Sequence, residues 1–177
     1  DEYYSSSRPK SAHISEERML KKLQKHGIDY IELRSIDLNP FEPSGIGYND
    51  LLLLELFFIY CLQKESAELD DNSTLEIRNN DSIVSKEGRM PGLTLYRNKN
   101  KISLKDWGIQ ILDEMEELIS KNNEKREQFN ISLERARRMF EDPNLTLSSE
   151  VFNQIIDNRF TYEEFGAKLG ESHKQLH

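Results

Sequence analysis

The sequence predicts an α+β protein: early strands that form part of an antiparallel sheet, followed by a predominantly helical C-terminal half. Three observations lead there. Residues 28–38 read IDYIELRSIDL, β-branched and aromatic residues bounded by Gly27 and by Asn39-Pro40, which is strand chemistry. Apolar residues recur at the helical period through Leu104, Trp107, Ile111, Leu112, Met115, Leu118 and Ile119, and again through Phe129, Leu133, Ala136 and Phe140. Between these regions two short strand-like runs, Leu93 to Tyr96 and Ile102 to Leu104, flank a polar stretch and predict a hairpin.

The totals narrow the function. With 32 acidic against 24 basic residues the 177-residue chain carries a formal charge of −8. This argues against nucleic acid, whose binding requires a surplus of Lys and Arg to neutralise phosphates. The longest apolar run, Leu51 to Leu62, is too short for a bilayer and contains Glu55, so no membrane insertion is expected. The N-terminus has no signal-peptide h-region, and the single cysteine, Cys61, lies in the apolar run where burial is expected. A cytoplasmic protein fits these features. A first residue Asp1 followed at once by a polar and aromatic run reads as a cut through a longer polypeptide.

In chain order, Asp1 to Lys10 predicts a strand entering a loop, and Ser15 is expected to open a helix that Gly27 ends. In the strand 28–38, Ile28, Tyr30, Glu32, Arg34, Ile36 and Leu38 share one face and Ile31 and Leu33 the other, so both faces are expected to be largely buried. Asn49 is expected to cap a helix beginning at Leu51, which is apolar nearly all round and so should pack on several sides. The acidic stretch 65–74, with Asp70 and Asp71, reads as solvated, and a short helix should then reach Lys86. Ser103 with Asp106 predicts a helix start, Asp142-Pro143 a stop, Ser148 or Ser149 a further start, and Thr161 with Glu164 a capping box. The division expected is a strand–helix–strand segment over 1–47, with the buried helix, hairpin and C-terminal helices of the same domain over 48–177.

The chemistry concentrates on the strand that places Glu32 and Arg34 side by side. Charges in a low-dielectric setting need a partner, a metal or a ligand. A structural ion pair is one reading; a carboxylate for a divalent cation beside a guanidinium for phosphate is the other. Further signals read as structural. His173 and His177 are four apart but Lys174 stands where zinc peptidases carry glutamate, Gly45-Ile46-Gly47 lacks the rest of a nucleotide loop, and Arg135, Arg137 and Arg138 can pair with Glu134 and Glu141 on one helix surface. Arg89 is expected to bond loop carbonyls.

The strings YIELRSIDLNPFEPSGI, EGRMPGLTL and FEDPNLT, in that order, resemble the C-terminal portion of bacterial glutamate–cysteine ligases of the proteobacterial type, and DEYYSSSRPK falls at the expected distance upstream. The resemblance implies the antiparallel sheet of a glutamine-synthetase-like ligase fold, completed by an N-terminal remainder of the same enzyme. It implies ATP-dependent joining of the γ-carboxyl of glutamate to cysteine through γ-glutamyl phosphate, the first step of glutathione synthesis, with Mg2+ as cofactor. In that family pattern Glu32 matches a metal-binding glutamate and Arg34 the arginine facing the transferring phosphate. Tyr4 matches a tyrosine of the cysteine pocket, while Arg8 and Lys10 fall where basic residues approach substrates or nucleotide. Ser6 and Ser7 depart from the family's Pro-Ile pair. A single metal-binding glutamate implies that this segment is inactive alone. The competing reading is a truncated, non-catalytic homologue serving as a helical interaction module.

Overall fold

The computed structural model describes residues 6–14, 16–66, 68–119 and 124–174. The chain divides into two compact units, Asp1–Leu38 and Asn39–His177.

The first unit is a two-stranded antiparallel ribbon with one helix. Strand β1 (Ser7–Lys10) pairs with β2 (Tyr30–Leu33), with Arg8 opposite Glu32 and Lys10 opposite Tyr30. The Arg34 N–H donates to the Ser6 carbonyl at 2.8 Å, which extends the ladder by one bonded pair. Because bonded and non-bonded pairs alternate, Pro9, opposite Ile31, falls at a non-bonded pair and its missing N–H costs this ladder nothing. Between the strands runs α1 (Met19–His26), with Lys25 and His26 in its last turn and Gly27 at φ 80° ending it. The expected opening residue, Ser15, lies outside the described residues.

The expectation that both faces of the second strand are buried is not met. Tyr30 is 52 % exposed, Ile31 46 % and Leu38 78 %, and the strand is shorter than the 28–38 run. Two strands alone cannot cover a sheet face; apolar strand residues stay open until another layer lies on them.

The second unit is built on three helices: α2 (Tyr48–Gln63), α4 (Leu104–Glu117) and α5 (Arg126–Glu141). Leu52 and Leu56 from α2, Leu112 and Met115 from α4, Ile119 just past it, and Phe129, Leu133 and Ala136 from α5 form one buried cluster. Gly108 lies where α4 meets Phe140 of α5, and any Cβ there would collide with the Phe140 ring. Ion pairs clip the edges: Arg135 to Asp50 at 2.8 Å, Lys125 to Glu55 at 2.8 Å and Arg137 to Asp113 at 2.7 Å. These arginines therefore bridge helices, in place of the pairing along one helix that their spacing to Glu134 and Glu141 predicts.

Helix α2 departs from expectation in three ways. It starts at Tyr48 after Gly47, with no side-chain cap from Asn49; only Leu52 and Leu56 are fully buried; and Leu51, Phe57 and Leu62 stand exposed, with Cys61 beside them. Its apolar circumference exceeds what α4 and α5 cover.

A hairpin of β3 (Thr94–Arg97) and β4 (Asn100–Ser103) turns through Asn98 and Lys99, both at positive φ, the two-residue turn that matches strand twist. Helix α3 (Asp71–Glu87) holds it with two side chains one turn apart. Glu76 accepts the Asn98 and Lys99 N–H groups at 2.8 Å each, and buried Asn80 donates to the Tyr96 carbonyl at 2.6 Å while accepting its N–H at 3.0 Å. Asp70, read as solvated, is exposed and also caps α3 by accepting from Ser73 N–H at 2.7 Å. Beyond α5, a short 3-10 turn at Pro143–Leu145 leads to α6 (Leu147–Asp157) and α7 (Tyr162–Lys174). Thr161 and Glu164 form the expected reciprocal cap, at 2.8 and 3.2 Å.

Candidate functional site: a cationic ribbon face around Glu32

Alternation along two paired strands brings Arg8, Lys10, Glu32 and Arg34 onto one face of the ribbon. Arg8 and Glu32 are direct cross-strand partners, Lys10 lies diagonal to Glu32, and Arg34 follows two residues along. The carboxylate is shared: Arg34 donates through Nε to Oε1 at 3.2 Å, and the Lys10 ammonium lies 3.4 Å from Oε2. Arg8 is buried, at 7 % exposure, while the Glu32 side chain is 36 % exposed and Lys10 19 %. Three cations around one anion make a local positive excess on a chain of net charge −8.

Partial burial by itself would raise the Glu32 carboxyl. The Arg34 charge, the hydrogen bond and charge of Lys10, and the charge of Arg8 outweigh it and hold the group below the usual carboxylate range, so it is ionised at neutral pH. An ionised, part-exposed carboxylate is the hard oxygen donor that magnesium takes, and magnesium commonly uses one or two protein carboxylates with water and substrate phosphates completing its shell. Glu32 fits that role as one ligand. Among the described residues no group of three or more His, Cys, Asp and Glu could hold a metal ion by itself.

The far end of the ribbon is fixed by Asp29. Its carboxylate accepts the Ala12 N–H at 2.7 Å and the Ser11 hydroxyl at 2.9 Å, and its own N–H donates to the Lys10 carbonyl at 2.9 Å. Bonding to Ala12 and Ser11, assisted by His26 and His13, lowers the Asp29 carboxyl despite some desolvation. The two imidazoles stack at 3.9 Å. The chain immediately past Lys10 is therefore held while its side chain reaches Glu32. The Arg8-x-Lys10 alternation is the sequence signal for this arrangement, but the Lys10–Glu32 pair itself depends on strand register.

Of the expected site residues, the structure brings together Arg8, Lys10, Glu32 and Arg34; Tyr4 lies outside the described residues. Arg89 stacks over Phe152, 5.5 Å from its ring centre, in place of the expected carbonyl bonds. His173 sits in the last turn of α7, with His177 outside the described residues. No helix among the described residues is long and apolar enough to cross a membrane.

The chain is a helical α+β protein whose antiparallel ribbon gathers three cations about one ionised carboxylate. The family model described as glutamate-cysteine ligase matches residues 1–84. Glutamate–cysteine ligases from Shewanella amazonensis and Pseudomonas putida are 33% and 30% identical over 99% of this chain. A crystal structure of glutamate–cysteine ligase from Francisella tularensis in complex with AMP superposes with a TM-score of 0.86 at 28% identity over 98% of the chain. Over nearly its whole length the chain is similar to part of these glutamate–cysteine ligases. It spans 34% of the length of each of these three proteins, about a third.

Proposed function

We propose that this chain is the C-terminal portion of an ATP-dependent glutamate–cysteine ligase, acting in the cytoplasm on glutamate, cysteine and ATP in the first step of glutathione synthesis. The observation that carries the reading is the shared Glu32 carboxylate, with Arg34 on one oxygen and Lys10 on the other.

In the proposed reaction the γ-carboxylate of glutamate takes the terminal phosphoryl group of ATP with loss of ADP. The cysteine amine then attacks the acyl phosphate, expels phosphate and releases a proton. Arg34 is assigned to the charge that develops on the phosphoryl oxygens, where a fixed guanidinium gives two-pronged bonding. Glu32 contributes one magnesium ligand; the ion would screen phosphate charge during transfer. Arg8 and Lys10 are assigned to bound substrate or nucleotide, and Tyr4 to the cysteine pocket.

One carboxylate does not make a multi-metal site, and the exposed Ile31 and Leu33 lie on the ribbon face opposite the charges. Both features support an N-terminal remainder that supplies more acidic ligands and covers the apolar face. Segments 1–47 and 48–177 are then parts of one domain. The test is ATP- and cysteine-dependent phosphate release, measured on the full-length protein and on the 177-residue chain. Turnover by the longer protein alone is expected; equal turnover by the short chain would overturn the proposal.

A further inference from the structure

We propose that Lys10 occupies Glu32 in place of a divalent cation, yields the carboxylate when the cation binds, and transfers its charge to the anion arriving with that cation. The proposal rests on the reading of the ribbon face as a metal and phosphate site and adds a step that belongs to Lys10 alone.

The two cations on Glu32 are not equivalent. Arg34 lies on the same strand run, its backbone tied to Ser6 at 2.8 Å, and its guanidinium meets Oε1 at 3.2 Å. Lys10 reaches diagonally from the other strand to 3.4 Å from Oε2, through a flexible stem that ends in a compact point charge. Lys10 is the partner that can leave. Its main chain stays in place, because its carbonyl is bonded by Asp29 and the next two residues are bonded to the Asp29 carboxylate.

A divalent cation on Oε2 would meet the ammonium within a few ångströms, and such like charges repel strongly with little water between them. Cation binding therefore displaces the ammonium. The released group remains on the face shared with Arg8 and Arg34, where polyphosphate oxygens are its natural partners. Metal and anion binding become coupled through one side chain, and that coupling is reciprocal.

The experiment uses the full-length protein with two probes: Mn2+ alone, followed by electron paramagnetic resonance, and Mg-ADP, followed by calorimetry. Lys10→Met is expected to tighten Mn2+ about two- to fivefold, the scale of a partly exposed ion pair, and to weaken Mg-ADP about fivefold or more. Lys10→Gln should reproduce both shifts. Lys25→Met, which removes a cation paired with Glu17 at 3.7 Å, should move neither. A purely structural lysine would weaken both ligands or leave both unchanged, and either result overturns the proposal. If Glu32→Gln abolishes Mn2+ binding while Lys10→Met changes nothing, only the assignment to Lys10 falls. Unchanged Mn2+ affinity in Glu32→Gln would overturn the underlying site as well.

Discussion

Arg34 and Glu32, two residues apart and facing the same way, are joined by an Nε to Oε1 hydrogen bond of 3.2 Å. Both side chains keep substantial exposure, 43% and 36%. An ion pair this open contributes little to folding. Glu32→Gln and Arg34→Lys in the full-length protein should therefore leave the thermal midpoint within a few degrees of the parent. Each should lower turnover by about a hundredfold or more, because lysine lacks the planar fork and glutamine the charge. Steady-state rates equal to the parent in both variants would remove the catalytic assignment.

Glu114 gives a pH signature in the helical unit. Bonds from Lys64, Tyr60 and Gln110 outweigh desolvation and bring its carboxyl down to about 2. A depressed carboxylate stabilises the fold above its unfolded value, and that stability is lost as pH falls toward the folded value. Glu114→Gln should cost about 1–2 kcal/mol at pH 7 after allowance for solvent screening. The gap from the parent should shrink between about pH 5 and pH 2. Urea midpoints across that window measure it, and a gap independent of pH would contradict the assignment.

Gly108 is expected to resist enlargement. An added Cβ collides with the Phe140 ring, so α4 and α5 must separate or the ring must leave the core edge. Gly108→Ala should lose about 1–2 kcal/mol in spite of its better helix propensity, since overpacking outweighs that gain. Combining it with Phe140→Leu should recover part of the loss, a coupling that a double-mutant cycle reads directly.

Asn80 replaces a strand neighbour for Tyr96 by bonding both its N–H and its carbonyl. Asn80→Ala leaves both backbone groups without that partner and should cost about 1–3 kcal/mol. Faster hydrogen exchange at the Tyr96 amide is the local readout. Asn80→Asp should restore the acceptor but not the donor, and recover only part of the protection.

Elements set by short-range chemistry were legible from residue order. The Ser103 cap and the Thr161–Glu164 reciprocal cap depend on neighbours three residues apart, and both form. The helical period likewise picked out Leu112, Met115, Phe129, Leu133 and Ala136, which are buried. Strand alternation placed Glu32 and Arg34 on one face, while Arg8 and Lys10 were named through the family strings.

Pairings between distant segments were not. Arg135 has acidic neighbours on its own helix yet bonds Asp50, because the contact between α2 and α5 brings that carboxylate within reach. The Asp70 cap is local, with Ser73 three residues on, and was missed because the acidic stretch was read as solvated charge alone. Apolarity all round α2 signals burial on every side, but only the side facing α4 and α5 is covered.

The sequence by itself determined which runs turn helical or extended, where several helices begin, and that Glu32 and Arg34 share one strand face, since these follow from chemistry within a few positions. Tertiary structure alone decided that Lys10 meets the second oxygen of Glu32 and that Asn80 finishes the hairpin edge. Those contacts depend on strand register and helix docking, which no local run of residues specifies.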